Sequence, residues 1–275
     1  MAHLYGIDVS SNQPKSICKS VSYDFAIVKV GGNPHGYAWN YLNPFAKQQL
    51  EDAYKKCGCI GGYWFLYGKS ATKEADTFVD AVKRLGYLGK CVLVADYEAD
   101  ALKKGAAWLK QFCERVTEKA GYKPIIYASG SVIESQKLRK LGYELWCANY
   151  YLGDKRVNGY STKGMKKYIA SAKLWQFTEN GYLDGYNARL DLNRFEGTKS
   201  DWLKLAGQKK AKAPKYQKYV VRVNTALNFR AEPSTKAEIT RARTNGRVIY
   251  VDKIKNGWAH TQEGDWCSAR YIERA

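Results

Sequence analysis

The sequence predicts an α/β fold, because eight short apolar segments recur through the first 200 residues and helical segments separate the earlier ones. Strands that alternate with helices are typical of a parallel sheet, and eight of them can close a TIM-like (β/α) barrel. The helical pattern fades after the sixth strand, so we expect a distorted barrel with its late helices missing. The predicted strands cover residues 4–9, 25–31, 60–67, 91–98, 124–128, 144–150, 173–177 and 189–193.

Helices are predicted where apolar residues recur at helical spacing between these strands. Two of them end at glycines, Gly86 and Gly121, which favour the left-handed conformation that closes a helix. Neither 151–172 nor 178–188 shows an apolar stripe, which is why the late helices are expected to be missing. The predicted helices cover 43–57, 72–85, 101–120 and 131–141.

A polar segment at 208–218 divides the chain. It contains five lysines and Pro214, so like charges extend it and it is predicted to be a linker. It separates a domain at 1–207 from a smaller one at 219–275. The smaller one combines short strand patterns with an Asn256-Gly257 hairpin turn, which predicts a small all-β barrel. Its predicted strands cover 219–223, 227–230, 247–253, 258–261 and 266–268.

Composition limits the possible partners. The chain has 275 residues and a formal net charge of +19, which indicates either an anionic partner or simple solubility. The candidate partners are nucleic acid, a membrane surface and an acidic wall polymer. No basic helix or RNA-binding aromatic motif supports nucleic acid. No apolar run of about 18 residues is present, so no membrane span is predicted.

Cysteine and histidine usage argues against a metal site. The seven cysteines are an odd number, and the N-terminal residues lack the features of a secretion signal, so reduced thiols and synthesis in a cytosol are expected. Cys57-Gly58-Cys59 has no second ligand pair nearby, and the chain has three histidines. We therefore predict neither a metal nor a cofactor.

The segment 92–98 carries the most chemical information, because an apolar run leads into two carboxylates, Asp96 and Glu98. Residues two apart in a strand share a face, and their backbone positions are ~6.6 Å apart. Paired acids that cleave glycosidic bonds lie roughly 5–9.5 Å apart. Like charges so close raise a pKa, and that cost is usually retained at functional sites. The alternative is that Asp96 and Glu98 lie at a solvent-exposed strand end and have no catalytic role.

Two further acids, Asp8 and Asp191, stand at or near the ends of strands one and eight. Taken singly, each is most simply an N-cap or a turn residue. In a closed barrel, however, the ends of strands one, four and eight meet at the face where β/α barrels hold their chemistry. We therefore predict that Asp8, Asp96, Glu98 and Asp191 form one catalytic site.

Four aromatic residues near strand ends could stack on sugar rings or could be part of the core. They are Tyr63, Tyr127, Trp146 and Trp175.

Residues 1–200 resemble the Chalaropsis-type lysozymes, glycoside hydrolase family 25. The resemblance is carried by motifs in matching order: Gly6-Ile7-Asp8-Val9-Ser10-Ser11 with Gln13, Phe25 to Lys29, Gly61 to Phe65, Asp96-Tyr97-Glu98, Pro124 to Tyr127, Leu145 to Tyr150, Leu174 to Phe177 and Asp191-Leu192-Asn193. One position departs: Trp64 stands where many members have His.

The resemblance implies hydrolysis of the β-1,4 bond between N-acetylmuramic acid and N-acetylglucosamine in peptidoglycan, with retention of configuration. By position it implies that Glu98 is the general acid, that Asp96 and Asp191 stabilise charge or the substrate's acetamido group, and that Asp8 holds the hydrogen-bond network. It adds Asn149 and Gln176 to the expected substrate-binding residues. A general acid needs a raised pKa, which three neighbouring carboxylates would provide by repulsion.

The tail resembles bacterial SH3-like wall-binding domains through Leu227 to Ser234, Asn256-Gly257-Trp258 and Ala269 to Ile272. A lysozyme domain joined to such a tail resembles a bacteriophage endolysin, made in the host cytoplasm and acting on the wall after release. The expected partners are peptidoglycan of a Gram-positive wall and its acidic polymers. The alternatives are an N-acetylglucosaminidase and a non-catalytic wall-binding protein.

Overall fold

The computed structural model describes residues 2–208 and 216–275. The chain divides into two compact units, Met1–Lys209 and Lys210–Ala275. Residues 209–215, which make up most of the predicted linker at 208–218, lie outside the described residues. The predicted boundaries of the two domains therefore stay predictions.

The first unit is built on one sheet of nine strands whose order is β6-β5-β4-β3-β2-β1-β9-β8-β7. Because β6 also pairs with β8, eight of the strands close a barrel and β7 lies outside it. Each predicted strand of the first domain corresponds to one of these eight. The strands are β1 Leu4–Val9, β2 Phe25–Gly32, β3 Ile60–Phe65, β4 Cys91–Asp96, β5 Ile125–Ser129, β6 Leu145–Ala148, β7 Val157–Asn158, β8 Leu174–Leu183 and β9 Tyr186–Phe195.

The last two barrel strands depart from a fully parallel barrel. β8 and β9 are joined by Asp184 and Gly185 and pair antiparallel, and β9 also pairs antiparallel with β1. Two residues can form only a hairpin, because a parallel pair needs a crossover of about a dozen residues or more. The last strand therefore runs antiparallel to its neighbours, unlike the parallel strands of a regular (β/α) barrel. Asp191 lies inside an antiparallel strand, directly opposite Asp8.

Helices pack outside the barrel between β1 and β6, and the described residues contain no helix between β6 and β9. The longest, which ends at Gly121 in the left-handed conformation, has 16 residues. Among the described residues, no helix has both the length and the apolarity to span a membrane. The α-helices are α1 Ile17–Ser20, α2 Ala46–Lys56, α3 Ala71–Arg84, α4 Gly105–Ala120, α5 Gly130–Ser135 and α6 Lys199–Leu205, and the 3₁₀ helices are Ala99–Lys104, Leu138–Leu141 and Ala269–Tyr271.

Alternation along the strands separates two apolar layers. Outward side chains pack under the helices, whereas inward ones fill the barrel. Trp202 of α6 joins the inner layer: its ring centroid lies 4.5 Å from that of Phe25, and its indole N–H donates to the Ile60 carbonyl at 3.1 Å. Apolar side chains thus fill the barrel at the N-terminal ends of its parallel strands, and the opposite end is left to polar residues.

The second unit is a seven-stranded sheet of order β12-β11-β15-β14-β13-β10-β16 with a small core around Phe229. Asn256 and Gly257 both have positive φ and form the predicted hairpin turn. Two strands were not predicted, and one of them, β12, has no fully buried residue and hence no visible alternation. The strands are β10 Gln217–Val221, β11 Ala226–Arg230, β12 Ile239–Thr244, β13 Val248–Lys255, β14 Trp258–Thr261, β15 Trp266–Ser268 and β16 Ile272–Arg274.

Candidate active site

The four predicted carboxylates line one cavity of about 270 Å³. The inward residues of β4 are Val92, Val94 and finally Asp96. The backbone is also extended at Glu98, two residues further on. Tyr97 points the other way and is fully buried, with its hydroxyl donating to Gln136 Oε1 at 2.8 Å. Strand alternation thus places Asp96 and Glu98 on the same side, as the sequence predicts.

Asp8 is held in place by two amides. Its Oδ2 accepts hydrogen bonds from Gln176 Nε2 at 3.0 Å and from Asn193 Nδ2 at 2.6 Å. Burial raises the pKa of Asp8 to about 6, although these bonds lower it. Asp191 faces Asp8 across the β1–β9 pair, and burial together with the charge of Asp8 raises the pKa of Asp191 well above its usual value.

The pKa of Glu98 is raised above its usual value. Burial is the largest cause of its raised pKa, followed by the charge of Asp8, with a smaller contribution from Glu179. Of the three carboxylates expected to repel Glu98, Asp8 raises its pKa, whereas the charge of Glu98 raises the pKa of Asp96 and of Asp191. Desolvation is the largest cause for each of these groups. Lys29, which also lines the cavity, acts in the opposite direction on Glu98 and on Asp96.

Asp96 is buried, and one of its oxygens, Oδ1, has no hydrogen-bond partner within the described residues. Burial and the charge of Glu98 raise its pKa well above the usual range. A buried acceptor without a donor is costly unless something supplies one. Asp96 is thus prepared to accept a hydrogen bond from a bound ligand.

Three of the predicted aromatics line the cavity: Tyr63, Tyr127 and Trp146. The Tyr127 hydroxyl donates to Gln176 Oε1 at 2.8 Å, and the Trp146 indole donates to Asn193 Oδ1 at 2.9 Å. Each amide in turn donates to Asp8. The aromatic residues therefore orient the two amides that hold the carboxylate, besides forming the cavity wall.

Two predicted residues lie elsewhere. Trp175 is buried and faces outward, because its neighbour Gln176 takes the inward position on β8; its indole donates to the Asn149 carbonyl at 2.9 Å. Trp175 does not reach the cavity, contrary to the expected sugar contact. Asn149 lines an adjoining pocket instead. Trp64, the departure from the family pattern, also faces outward and packs near Phe78.

Sequence reasoning missed Glu179 and left Lys29 aside, and both line the cavity. Lys29 could have been found by alternation, since it follows the inward Phe25 and Ile27 at two-residue steps. Glu179 could not, because irregular pairing between β8 and β9 beyond Gln176 breaks the alternation. Among the described residues, no group of three or more His, Cys, Asp or Glu is arranged to hold a metal ion.

Comparison with known proteins matches the sequence to one family model and to a sequence relative. The sequence model of Glycosyl hydrolases family 25 matches residues 7–186. The uncharacterized protein YegX of Escherichia coli K12 is 33% identical over 214 residues, covering 71% of this chain and 70% of YegX.

Two solved structures share the fold of the first unit. The catalytic domain of endolysin ply40, from bacteriophage P40 of Listeria monocytogenes, superposes with a TM-score of 0.58 at 23% identity, covering 75% of this chain and 98% of that domain. A bacterial lysozyme from Streptomyces coelicolor gives 0.54 at 20% identity, again covering 75% and 98%.

Proposed function

The chain belongs to glycosyl hydrolase family 25, and we propose that this glycoside hydrolase is a lysozyme that cleaves peptidoglycan between N-acetylmuramic acid and N-acetylglucosamine. The observation that carries the proposal is the cavity in which Asp8, Asp96, Glu98 and Asp191 meet, each with a raised pKa. Paired carboxylic acids with separated roles are the usual means of glycoside hydrolysis.

Glu98 is the proposed general acid. It is less buried than Asp8 and Asp96, and burial raises its pKa, which is the direction that a general acid needs. That proton goes to the glycosidic oxygen as the bond from this oxygen to the anomeric carbon breaks. The positive charge that develops on the sugar is then stabilised by the neighbouring carboxyl groups.

Asp96 and Asp191 are proposed to act on the acetamido group of the reacting sugar. Asp96 Oδ1 lacks a donor, and the amide N–H of that group would supply one. With its N–H held, the acetamido oxygen can form a bond to the anomeric carbon as the leaving sugar departs. Water, deprotonated by Glu98, then opens this ring intermediate, and two inversions give retention. Asp8 positions the set through its two amide donors.

The second unit is proposed to be an SH3-like domain that binds the cell wall. Its surface has a groove of about 480 Å³ in which Trp258 and Tyr271 accompany Asn224 and Asn228. Aromatic rings and amides together suit a wall peptide or glycan. The charge of +19 would favour acidic polymers of a Gram-positive wall. A lysozyme carrying such a unit would serve a phage as an endolysin, made in the host cytoplasm and released to the wall.

The test is Glu98→Gln, with Glu114→Gln as the control, because the Glu114 side chain is 59% exposed on α4 and does not line the cavity. We expect the first variant to lose at least about a hundredfold in the rate of wall lysis, since a general acid contributes that much. The second should keep most of the rate. Equal activity of Glu98→Gln and the parent would overturn the assignment.

Analysis of the released fragments tests the choice of bond. Fragments with N-acetylmuramic acid at the reducing end would support the lysozyme. Fragments that end in N-acetylglucosamine would identify a glucosaminidase and reject it.

A further inference from the structure

A second compartment of about 420 Å³ adjoins the cavity that holds the carboxylates and shares part of its lining. Glu98, Tyr127 and Tyr150 line both spaces, whereas Asp8, Asp96 and Asp191 line the first alone. Glu98 therefore stands at the junction. If it protonates the glycosidic oxygen, as proposed above, the compartment beyond it lies on the side of the leaving sugar.

The walls of this compartment combine the groups that a sugar requires. The hydroxyls of Ser129 and Ser131, 3.2 Å apart, and the amide of Asn149 provide donors and acceptors on its surface. Leu102 and Val132 add small apolar areas. A mixed lining of this kind suits an N-acetylated pyranose, which has hydroxyls, an amide and apolar C–H faces.

Tyr168 is the unusual member of the lining, because 56% of its surface is exposed. Its ring rests against the backbone of Gly130: a Cβ at Gly130 would lie 2.3 Å from the Tyr168 Cδ1. Glycine at this position is therefore needed to let the ring lie so close to the start of α5. The ring thus contacts protein at Gly130, whereas the side chain remains largely exposed.

The neighbours of Tyr168 fix its position in the long connection between β6 and β8. Ile169 is buried in the outer apolar layer. The Lys167 ammonium donates to the Ala172 carbonyl at 2.7 Å and lies 3.6 Å from Glu196. An exposed aromatic held between two anchored residues loses little conformational freedom when a ligand stacks on it.

We propose that Tyr168 is a stacking platform for the N-acetylglucosamine ring on the leaving-group side of the cleaved bond. This inference rests on the lysozyme activity proposed above. Tyr168 then contributes to substrate specificity, and the carboxyl groups carry out the chemical step. Removal of the Tyr168 ring should weaken binding of the glycan, whereas proton transfer by Glu98 should continue.

The experiment measures kcat and KM on soluble, peptide-free glycan strands for the parent and three variants. Tyr168→Ala should raise KM about fivefold and leave kcat within about twofold, in line with the loss of one aromatic contact. Tyr168→Phe keeps the ring and should restore the parental KM. Tyr151→Ala is the matched control, because Tyr151 is 49% exposed in the same connection and lines neither compartment.

The outcomes separate the two proposals. If Tyr168→Ala keeps the parental KM, or if KM rises equally in Tyr151→Ala, the proposed role of Tyr168 is wrong. The proposed lysozyme activity would be unaffected by either result. A parent protein that cleaves no glycan strand would refute the lysozyme and, with it, the platform. Because Tyr168 and Tyr151 are exposed, the variants should keep the parental melting temperature, and a melting curve checks this.

Discussion

Lys29 is the one cation found in the lining of the carboxyl cavity, as far as the described residues show. Its ammonium donates to Asn33 Oδ1 at 3.3 Å and lies 5.1 Å from the centre of the Phe65 ring. Burial lowers its own pKa, and the charges of Asp96 and Glu98 oppose this. Lys29 therefore favours the ionised form of Asp96 and of Glu98.

Lys29→Met should shift the pH–activity profile to higher pH. The positive charge lowers the pKa of Glu98 and of Asp96, so its removal raises both. Since the general acid must stay protonated, activity is lost as pH rises through the pKa of Glu98, and this alkaline limb should move up by about one pH unit.

The measurement is kcat/KM on glycan strands across the pH range, with Lys69→Met as the control. Lys69 also lies over an aromatic ring, that of Trp39, but it does not line the cavity. An alkaline limb that stays in place, or moves down, would contradict this role of Lys29.

Asp191→Asn should stabilise the fold at neutral pH while it lowers activity. The folded-state pKa of Asp191 is raised well above 3.8, mainly by burial. Its contribution to stability is therefore present below that value and is lost as pH rises through the folded pKa. Asparagine cannot ionise, so the variant should gain about 1 kcal/mol at pH 7 and nothing at pH 3.

Thermal unfolding at the two pH values tests this, with the exposed Asp154→Asn as the control. A variant less stable than the parent at pH 7 would show that the ionised carboxylate is well accommodated.

At the scale of elements, alternation explains how far the sequence predicts the site. Along β1, β2 and β4 every second residue faces inward, so Asp8, Lys29 and Asp96 could be placed from the sequence. The same rule applied to β8 places Gln176 and Trp175 on opposite sides of the strand, because adjacent residues face opposite sides. It fails at Glu179, where irregular pairing resets the alternation.

Tertiary contacts determine the remaining features. The direction of β9 depends on the two-residue turn that precedes it, and the run of apolar residues does not reveal that direction. Tyr168 belongs to a connection without helix or strand periodicity, and it reaches the site by resting on Gly130, far away in the sequence. Local patterns carry no information about such a contact.

The β8–β9 hairpin depends on Gly185. This residue has φ +93, and a Cβ there would lie 2.1 Å from the Ser20 carbonyl oxygen. Gly185→Ala should therefore destabilise the first unit by about 2 kcal/mol through conformational strain and displacement of the backbone. Activity should fall as well, because both strands of the hairpin carry site residues.

Gly36→Ala is the control for this prediction, since Gly36 has φ +92 and nothing within 4 Å of its Cβ position. It carries the same conformational cost without the close contact. Chemical denaturation measures the free energy of unfolding of both variants. Equal destabilisation would show that the Ser20 backbone moves aside to make room for the new methyl group.

At the scale of the whole molecule, each unit has its own apolar core, so either can be altered without removing the core of the other. The catalytic cavity and the groove of the second unit are each formed within one unit. If both bind the same wall, attachment through one raises the local concentration of substrate at the other.

Deletion of 219–275 should therefore weaken lysis of intact walls about tenfold or more, while cleavage of small soluble fragments changes little. Within the intact chain, Tyr271→Ala should reproduce part of this loss, because Tyr271 lines the groove and is 42% exposed. Tyr250→Ala is the matched control, since Tyr250 is 46% exposed and lies outside the groove. Wall sedimentation and turbidity assays measure binding and lysis. Equal losses on walls and on soluble fragments would show that the second unit supports catalysis instead of attachment.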